Sequence, residues 1–143
     1  MRDLLDYALD LYGIEEITGS DHNPEILEFF HEIGHIWVRE DEVAWCSAFI
    51  NYICKRTGYE RSGKLTARSW LKIGTELSDP LKGCIVVLWR GSRDSWKGHV
   101  GLYINSHHGY IYMLGGNQDN SVCIKRYPES RLLSYRRLNR TKN

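Results

Sequence analysis

The spacing of apolar residues changes once along this chain, at the turn sequence Asp79-Pro80-Leu81-Lys82-Gly83. Before this turn, apolar residues recur every three or four positions, which is typical of amphipathic helices. After it they occur in short runs separated by Gly, Ser, Asn and Asp, which predicts strands. The predicted strands cover residues 84–90, 99–105, 110–114, 122–126 and 134–138. Helices followed by a mainly antiparallel sheet predict an α+β fold.

The length of 143 residues corresponds to one domain, residues 1–143. Its helical half covers about residues 1–78 and its sheet half about residues 79–143. Four helices are predicted in the first half. They begin at Asp3, Pro24, Cys46 and Ala67, and each is followed by a glycine, at positions 13, 34, 58 and 74. Glycine commonly ends a helix because it adopts a left-handed backbone conformation.

The charges are almost balanced, with 19 Lys and Arg residues against 18 Asp and Glu residues. No strong field therefore favours binding to nucleic acid or to a membrane surface. No apolar run is long enough to span a bilayer, and the residues after Met1 do not form a signal peptide. We expect a protein that is made in the cytoplasm, does not insert into membranes and does not bind nucleic acid.

The cysteine and histidine spacings do not indicate a metal site. The cysteines are Cys46, Cys54, Cys84 and Cys123. They lack the close C-x-x-C spacing of zinc sites. His31 and His35 lie four positions apart, but no third ligand is clearly placed beside them, so surface histidines are the preferred interpretation. We predict no metal and no cofactor, with three structural thiols and one reactive thiol. A disulfide remains open at this point.

The segment Ala44-Trp45-Cys46-Ser47-Ala48-Phe49 begins the third predicted helix. Its apolar stripe contains Cys46, Phe49, Ile50, Ile53 and Cys54. Cys46 is thus expected in the first turn, where unpaired backbone N–H groups and the helix dipole favour a thiolate and lower the thiol pKa. The alternative is that Cys46 is simply one more buried residue of the stripe.

His99 and Asn117 are the candidate partners of Cys46. Alternation along the strand that begins near Gly98 places His99, Gly101 and Tyr103 on one face. If the next strand pairs so that His99 faces Asn117, then Gly101 faces Gly115 and Tyr103 faces Met113. The two bare glycines would let the end of a helix approach that face closely. Taken singly, His99 is as well explained as a structural residue, and Asn117 as a turn residue.

Together these three residues support acyl transfer. Cys46 would be the nucleophile, His99 would move its proton, and the side-chain oxygen of Asn117 would hold the imidazole in the useful tautomer. The backbone N–H of Cys46 is the first donor of an oxyanion hole. The second would be Gln118 or a side chain of residues 40–45, and the sequence leaves this choice open.

Four ordered motifs carry a resemblance to a known superfamily. They are Trp45-Cys46-Ser47-Ala48-Phe49, Ala67-Arg68-Ser69-Trp70-Leu71, Gly98-His99-Val100-Gly101 and Leu114-Gly115-Gly116-Asn117-Gln118. Over almost its whole length the chain resembles a small single-domain branch of the CHAP and NlpC-type cysteine peptidases and amidases, a branch frequent in phages and prophages.

The resemblance implies a papain-like fold, with the nucleophile at a helix N-terminus packed on the sheet. It also implies hydrolysis of amide bonds in the peptidoglycan peptide by Cys46, His99 and Asn117. Many CHAP domains carry Glu two positions before that Asn, where this chain has Gly115. The implied activity is that of an N-acetylmuramoyl-L-alanine amidase or an endopeptidase in an endolysin-like enzyme.

Candidate substrate contacts are Trp45, Arg68, Trp96 and Gln118. Tryptophans can wall a groove, and the Arg68 guanidinium can pair with a carboxylate of the stem peptide. Trp96 lies in a polar loop beside His99, which is typical of a cleft rim. A fifth candidate, Trp70, has a spacing that favours the core.

The expected partner is the peptidoglycan stem peptide, and the expected state is a monomer. The enzyme would act on the cell wall, in the periplasm or outside the cell, after release through a holin or a secretion machine. Three alternatives remain. They are a secreted antibacterial effector with the same chemistry and a cognate immunity protein, an acyltransferase with the same fold, and a non-catalytic wall-binding module.

Overall fold

The computed structural model describes residues 3–15, 24, 26, 28, 29, 45–118 and 121–141. Two α-helices are defined in these ranges: α1 (Leu4–Asp10) and α2 (Cys46–Thr57). A 3-10 helix, Ala67–Lys72, follows α2, and another, Glu129–Arg131, precedes the last strand. The strands are β1 (Thr75–Leu77), β2 (Ile85–Trp89), β3 (Gly98–His107), β4 (Tyr110–Gln118), β5 (Ser121–Pro128) and β6 (Leu132–Arg137).

The strands form one six-stranded antiparallel sheet in the order β1-β6-β2-β3-β4-β5. The α+β prediction is therefore confirmed, and all five predicted strands are present. Strand β1 was not predicted because three residues are too few to show an alternating pattern. The fourth predicted helix is a 3-10 helix, and the predicted helix that begins at Pro24 lies largely outside the described residues, as do His31 and His35.

Helix α2 packs its apolar stripe against one face of the sheet. Cys46 is its first residue, every residue of the predicted stripe is buried, and Gly58 ends the helix with a left-handed backbone at φ 82°. The stripe joins α1 and inward-facing sheet residues such as Val100 and Leu102 in the larger core. The predicted burial of these five residues is confirmed, and burial extends around the helix, because Ser47, Asn51 and Tyr52 are buried as well.

The opposite face of the sheet carries a smaller core built from Val86, Leu88, Met113 and their neighbours. Along β3, Val100 and Leu102 lie in the helix-side core, whereas Tyr103 packs against the smaller core. The predicted alternation of β3 is thus confirmed. It puts the His99 side of the strand on the face away from the body of α2.

The predicted register holds at Tyr103, which pairs with Met113. Irregularities then occur between Tyr103 and Asn105, and between Gly115 and Gln118 on the other edge of β4. The close approach of α2 occurs at Gly116, where an added Cβ would lie 2.6 Å from the Trp45 ring and 2.8 Å from Phe49 Cβ. The expectation that Gly101 and Gly115 make room for the helix is wrong, since added Cβ atoms there would meet Met113 and Gln118 instead.

Candidate active site

Cys46 lies where α2 begins, and its side chain is only 5% exposed. Burial raises the pKa of this thiol above its ordinary value, although backbone N–H groups and the charge of Arg90 act in the opposite direction. The lowered pKa expected from the helix start is therefore wrong for this state of the protein. The partial positive charges at the helix N-terminus stabilise the thiolate, but the free-energy cost of removing the thiolate from water is larger than this stabilisation.

His99 is fixed by Gln118. The Nε2 atom of His99 lies 2.9 Å from Gln118 Oε1, and both side chains are buried. The Gln118 amide nitrogen donates to the carbonyl oxygens of Met113 at 3.2 Å and Cys123 at 2.6 Å. Because these two carbonyls fix which end of the amide faces the ring, the oxygen must accept from His99. His99 therefore carries its proton on Nε2 and leaves Nδ1 as the basic nitrogen.

Gln118 therefore makes the hydrogen bond to His99 that the sequence predicted for Asn117. The side chain of Asn117 is outside the described part of the chain, so its predicted role stays a prediction. Gln118 is 1% exposed and uses its amide within the fold. Both its predicted substrate contact and its alternative role in an oxyanion hole are therefore disfavoured. The irregular pairing between Gly115 and Gln118 explains the difference, because strict alternation does not hold there.

The surroundings of His99 keep its ring neutral. Its pKa is lowered to about 4, chiefly by burial and also by the charges of Arg90 and Lys125, while the Gln118 hydrogen bond acts in the opposite direction. The Tyr127 hydroxyl lies 3.2 Å from the same Nε2 atom, and the Tyr127 and His99 ring centres are 5.1 Å apart. A neutral imidazole with a free Nδ1 is the form that accepts a proton.

Cys46 and His99 lie near each other. No direct hydrogen bond joins their side chains in the described part of the structure. The thiol of Cys46 interacts with the backbone of Val100, the residue that follows His99. The charge of Arg90 reaches both side chains and lowers both pKa values. The contact between the start of α2 and the start of β3 therefore brings these two candidate residues near each other.

A cavity of about 380 Å³, which we call the thiol cavity, reaches Cys46 from the surface. It is lined by Cys46, Leu65, Thr66, Ala67, Arg90, Trp96, Lys97 and Gly98. Trp96 is 71% exposed, so it forms part of the rim, in agreement with the location predicted for it. Gly98 keeps the cavity wall close to β2, because an added Cβ would lie 2.7 Å from the Leu88 carbonyl oxygen.

The other predicted contact residues serve the fold. Trp45 is fully buried and packs 6.0 Å from the Phe29 ring, which argues against a place for it in a groove wall. Its indole nitrogen has no hydrogen-bond partner within the described structure. Arg68 donates to the carbonyl oxygens of Ser92, Arg93 and Lys97 and so ties the Trp96 loop to the 3-10 helix. Its pairing with a substrate carboxylate stays a prediction.

Sequence reasoning missed a buried polar network that supports the cavity wall. Ser47 and Asn51 are both fully buried on α2. Ser47 Oγ and Asn51 Nδ2 donate to the Lys64 carbonyl oxygen at 2.6 and 3.0 Å, and Gly63 N donates to Asn51 Oδ1 at 2.8 Å. Trp70, a core residue as the sequence favoured, donates to Ser47 Oγ at 2.9 Å. Two polar residues within an apolar helix stripe were the available signal.

The described residues contain no group of three or more His, Cys, Asp or Glu side chains that could hold a metal ion. All four cysteines are free thiols, and three of them are buried. Within the described ranges, no helix is both long and apolar enough to cross a membrane.

Comparisons with known proteins give matches in structure only. No family model and no curated protein sequence matches the chain. One similar solved structure is the endolysin LysIME-EF1, with a TM-score of 0.58 and 11% identity over 96% of this chain and 62% of that protein. Another is a lipoprotein of the NLP/P60 family from Staphylococcus aureus, with a TM-score of 0.51 and 14% identity over 98% of this chain and 41% of that protein. This chain therefore spans less than two thirds of either protein, and it shares its α+β fold with the matched part of each.

Proposed function

We propose that the protein is a cysteine hydrolase that cleaves amide bonds in the peptide part of bacterial peptidoglycan. The single observation that carries this proposal is the 2.9 Å hydrogen bond from His99 Nε2 to Gln118 Oε1, which orients a neutral imidazole beside the Cys46 helix start. The substrate class is supported by the similar structures, one named an endolysin and the other an NLP/P60 family lipoprotein.

The proposed reaction begins with a neutral thiol and a neutral imidazole. As the Cys46 sulfur attacks the amide carbonyl carbon, Nδ1 of His99 accepts the thiol proton, and Gln118 holds the imidazolium through Nε2–H. The backbone N–H of Cys46 stabilises the oxyanion. His99 then gives its proton to the leaving amine, the C–N bond breaks, and a thioester forms. Water hydrolyses this thioester with His99 as the base, which releases the carboxylic acid and restores the thiol.

The proposal includes finer assignments that depend on the bond cut. Cleavage of the N-acetylmuramoyl–L-alanine bond would make the protein an amidase, and cleavage within the stem or crossbridge would make it an endopeptidase. An endolysin-like lysis enzyme is the preferred setting. An antibacterial effector with an immunity protein has the same chemistry, whereas an acyltransferase or a wall-binding module would not release peptides.

The decisive experiment is digestion of purified peptidoglycan, with the soluble products identified by mass spectrometry. Wild type and a Cys54→Ala control, which removes a buried thiol outside the cavity, should release fragments with new amino termini. Cys46→Ala should release none while retaining its fold by circular dichroism. Release by Cys46→Ala would contradict a cysteine mechanism. No release by folded wild type would reject hydrolysis and favour the acyltransferase or the binding module.

A second experiment separates Gln118 from Asn117 as the residue that orients His99. Gln118→Leu removes the acceptor for Nε2–H, so we expect kcat to fall by about 10- to 100-fold with little change in KM. Asn117→Ala is the matched control. A larger loss of kcat in Asn117→Ala than in Gln118→Leu would restore the sequence-based assignment.

A further inference from the structure

The thiol cavity shares the lining residue Trp96 with a second hollow. This hollow has a volume of about 520 Å³, within the range of small-molecule and peptide sites. It is lined by Ser62, Lys64, Thr66, Arg68, Ser69, Lys72, Ile73 and Trp96. Thr66 and Trp96 line both spaces, so a chain bound across Cys46 can continue past these two residues. We call this second space the basic hollow.

The charged side chains that line the basic hollow are all positive. Its lining includes Lys64, Arg68 and Lys72 and no acidic side chain among the described residues. Arg90 and Lys97 add two more cations in the adjoining thiol cavity. In a chain whose formal net charge is only +1, this is a local concentration of positive charge. No ion pair with a carboxylate of the described residues neutralises Lys64 or Lys72.

Hydrogen bonds hold the backbone at Lys64 and the side chain of Arg68 in place. The Lys64 carbonyl oxygen accepts hydrogen bonds from Ser47 Oγ and Asn51 Nδ2, both on α2. The Arg68 side chain is held by three backbone carbonyl oxygens of the Trp96 loop, which accept its protons but do not cancel its charge. The Lys64 backbone and the Arg68 guanidinium are therefore held in place before any ligand arrives, which reduces the conformational entropy that binding loses there.

We propose that the basic hollow binds a free carboxylate of the substrate peptide, located several atoms from the amide that Cys46 attacks. This inference deepens the proposed function and rests on it. The hollow joins the thiol cavity, so its ligand is part of the same molecule. Its lysines match a carboxylate in charge, and their ammonium groups can donate charge-assisted hydrogen bonds to it. Stem peptides carry such carboxyl groups in free or amidated form, so amidation would weaken recognition.

The test uses two synthetic stem peptides that differ only in a free carboxylate or a carboxamide at the same position. Binding to Cys46→Ala protein is measured by calorimetry and by the fluorescence change of the exposed Trp96. The free acid should bind about 3- to 30-fold more tightly, and adding salt should reduce the difference. Lys64→Gln with Lys72→Gln should abolish this preference. Lys82→Gln, which changes an exposed lysine outside both spaces, should preserve it.

Hydrolysis of the same two peptides by proteins that retain Cys46 separates the two proposals. Cleavage of both peptides at equal KM, with equal binding to Cys46→Ala, would overturn the carboxylate site and leave the hydrolase intact. Tighter binding of the free acid without cleavage of either peptide would retain the carboxylate site and reject the hydrolase. A preference that survives the Lys64 and Lys72 changes would also overturn the site, because another part of the surface would then select the acid.

Discussion

The neutral state of His99 makes a quantitative prediction about stability and pH. In the folded protein its pKa is lowered to about 4, against an ordinary value of 6.5. Between these two values the unfolded chain binds a proton that the native protein does not. The free energy of unfolding must therefore decrease as the pH falls from 6.5 towards 4, and the contribution of His99 is complete above pH 6.5.

The size of the effect follows from the two pKa values. At about pH 4.5, about 99% of the unfolded His99 is protonated, against about a quarter of the native His99. This difference corresponds to a loss of about 2.5 kcal/mol between about pH 7.5 and about pH 4.5. The value is large compared with a total stability of about 5–15 kcal/mol for an ordinary domain.

The assay is urea unfolding of wild type and His99→Gln at both pH values, followed by tryptophan fluorescence. Carboxylates also contribute to acid destabilisation, so the informative quantity is the difference between the two proteins. His99→Gln should lose about 2.5 kcal/mol less than wild type between the two pH values. His107→Gln, which changes an exposed histidine of the β3–β4 turn, should behave like wild type.

Equal losses in wild type and His99→Gln would refute the reasoning, since His99 would then have the same pKa in both states. A direct titration of the imidazole by nuclear magnetic resonance gives an independent reading. A midpoint near 6.5 in the folded protein would mean that water reaches the ring and that burial does not control its protonation.

Three further predictions concern packing and thiol access. Asn51→Leu should lower the free energy of unfolding by about 2–4 kcal/mol in urea, because leucine cannot replace the hydrogen bonds that Asn51 makes with the Lys64 carbonyl oxygen and with Gly63 N. A loss within about 0.5 kcal/mol would contradict a stabilising role for this network. Gly116→Ala should lower the free energy of unfolding by about 1–3 kcal/mol and lower Tm, because the added Cβ would meet the Trp45 ring. An unchanged Tm would show that α2 can shift. Alkylation of the folded protein at neutral pH, mapped by mass spectrometry, should modify the half-exposed Cys123 first, Cys46 second and Cys54 last. The reverse order would mean that the cavity opens widely.

The helices and strands could be predicted because each depends on a local period. The stripe from Cys46 to Cys54 needs one buried side, and every member is buried. The pairing of Tyr103 with Met113 agrees with the register that was assumed in order to place His99 opposite Asn117, although alternation alone did not select that register. The place of Cys46 at the start of α2 was predictable for the same reason, since it is a local property.

The orientation of His99 could not be predicted in this way. Gln118 and Asn117 are neighbours in sequence, and strict alternation would turn one of them towards His99 and the other away. The pairing of β4 with β5 is irregular between Gly115 and Gln118, so the simple rule fails at the residues that decide the site. The carbonyl oxygens of Met113 and Cys123, which fix the Gln118 amide, come from two strands.

By itself the sequence determined the α+β fold class, the start of α2 at Cys46 and the strand that carries His99, because periodicity and turn residues act over short distances. Only the tertiary structure decided the charge states of Cys46 and His99 and the burial of Trp45. Burial by distant segments raises the pKa of Cys46 and lowers that of His99. Close packing at Gly116 buries Trp45, while Trp96 remains at the rim. These properties depend on which surfaces are removed from water together, and this is a property of the packed chain rather than of any local segment.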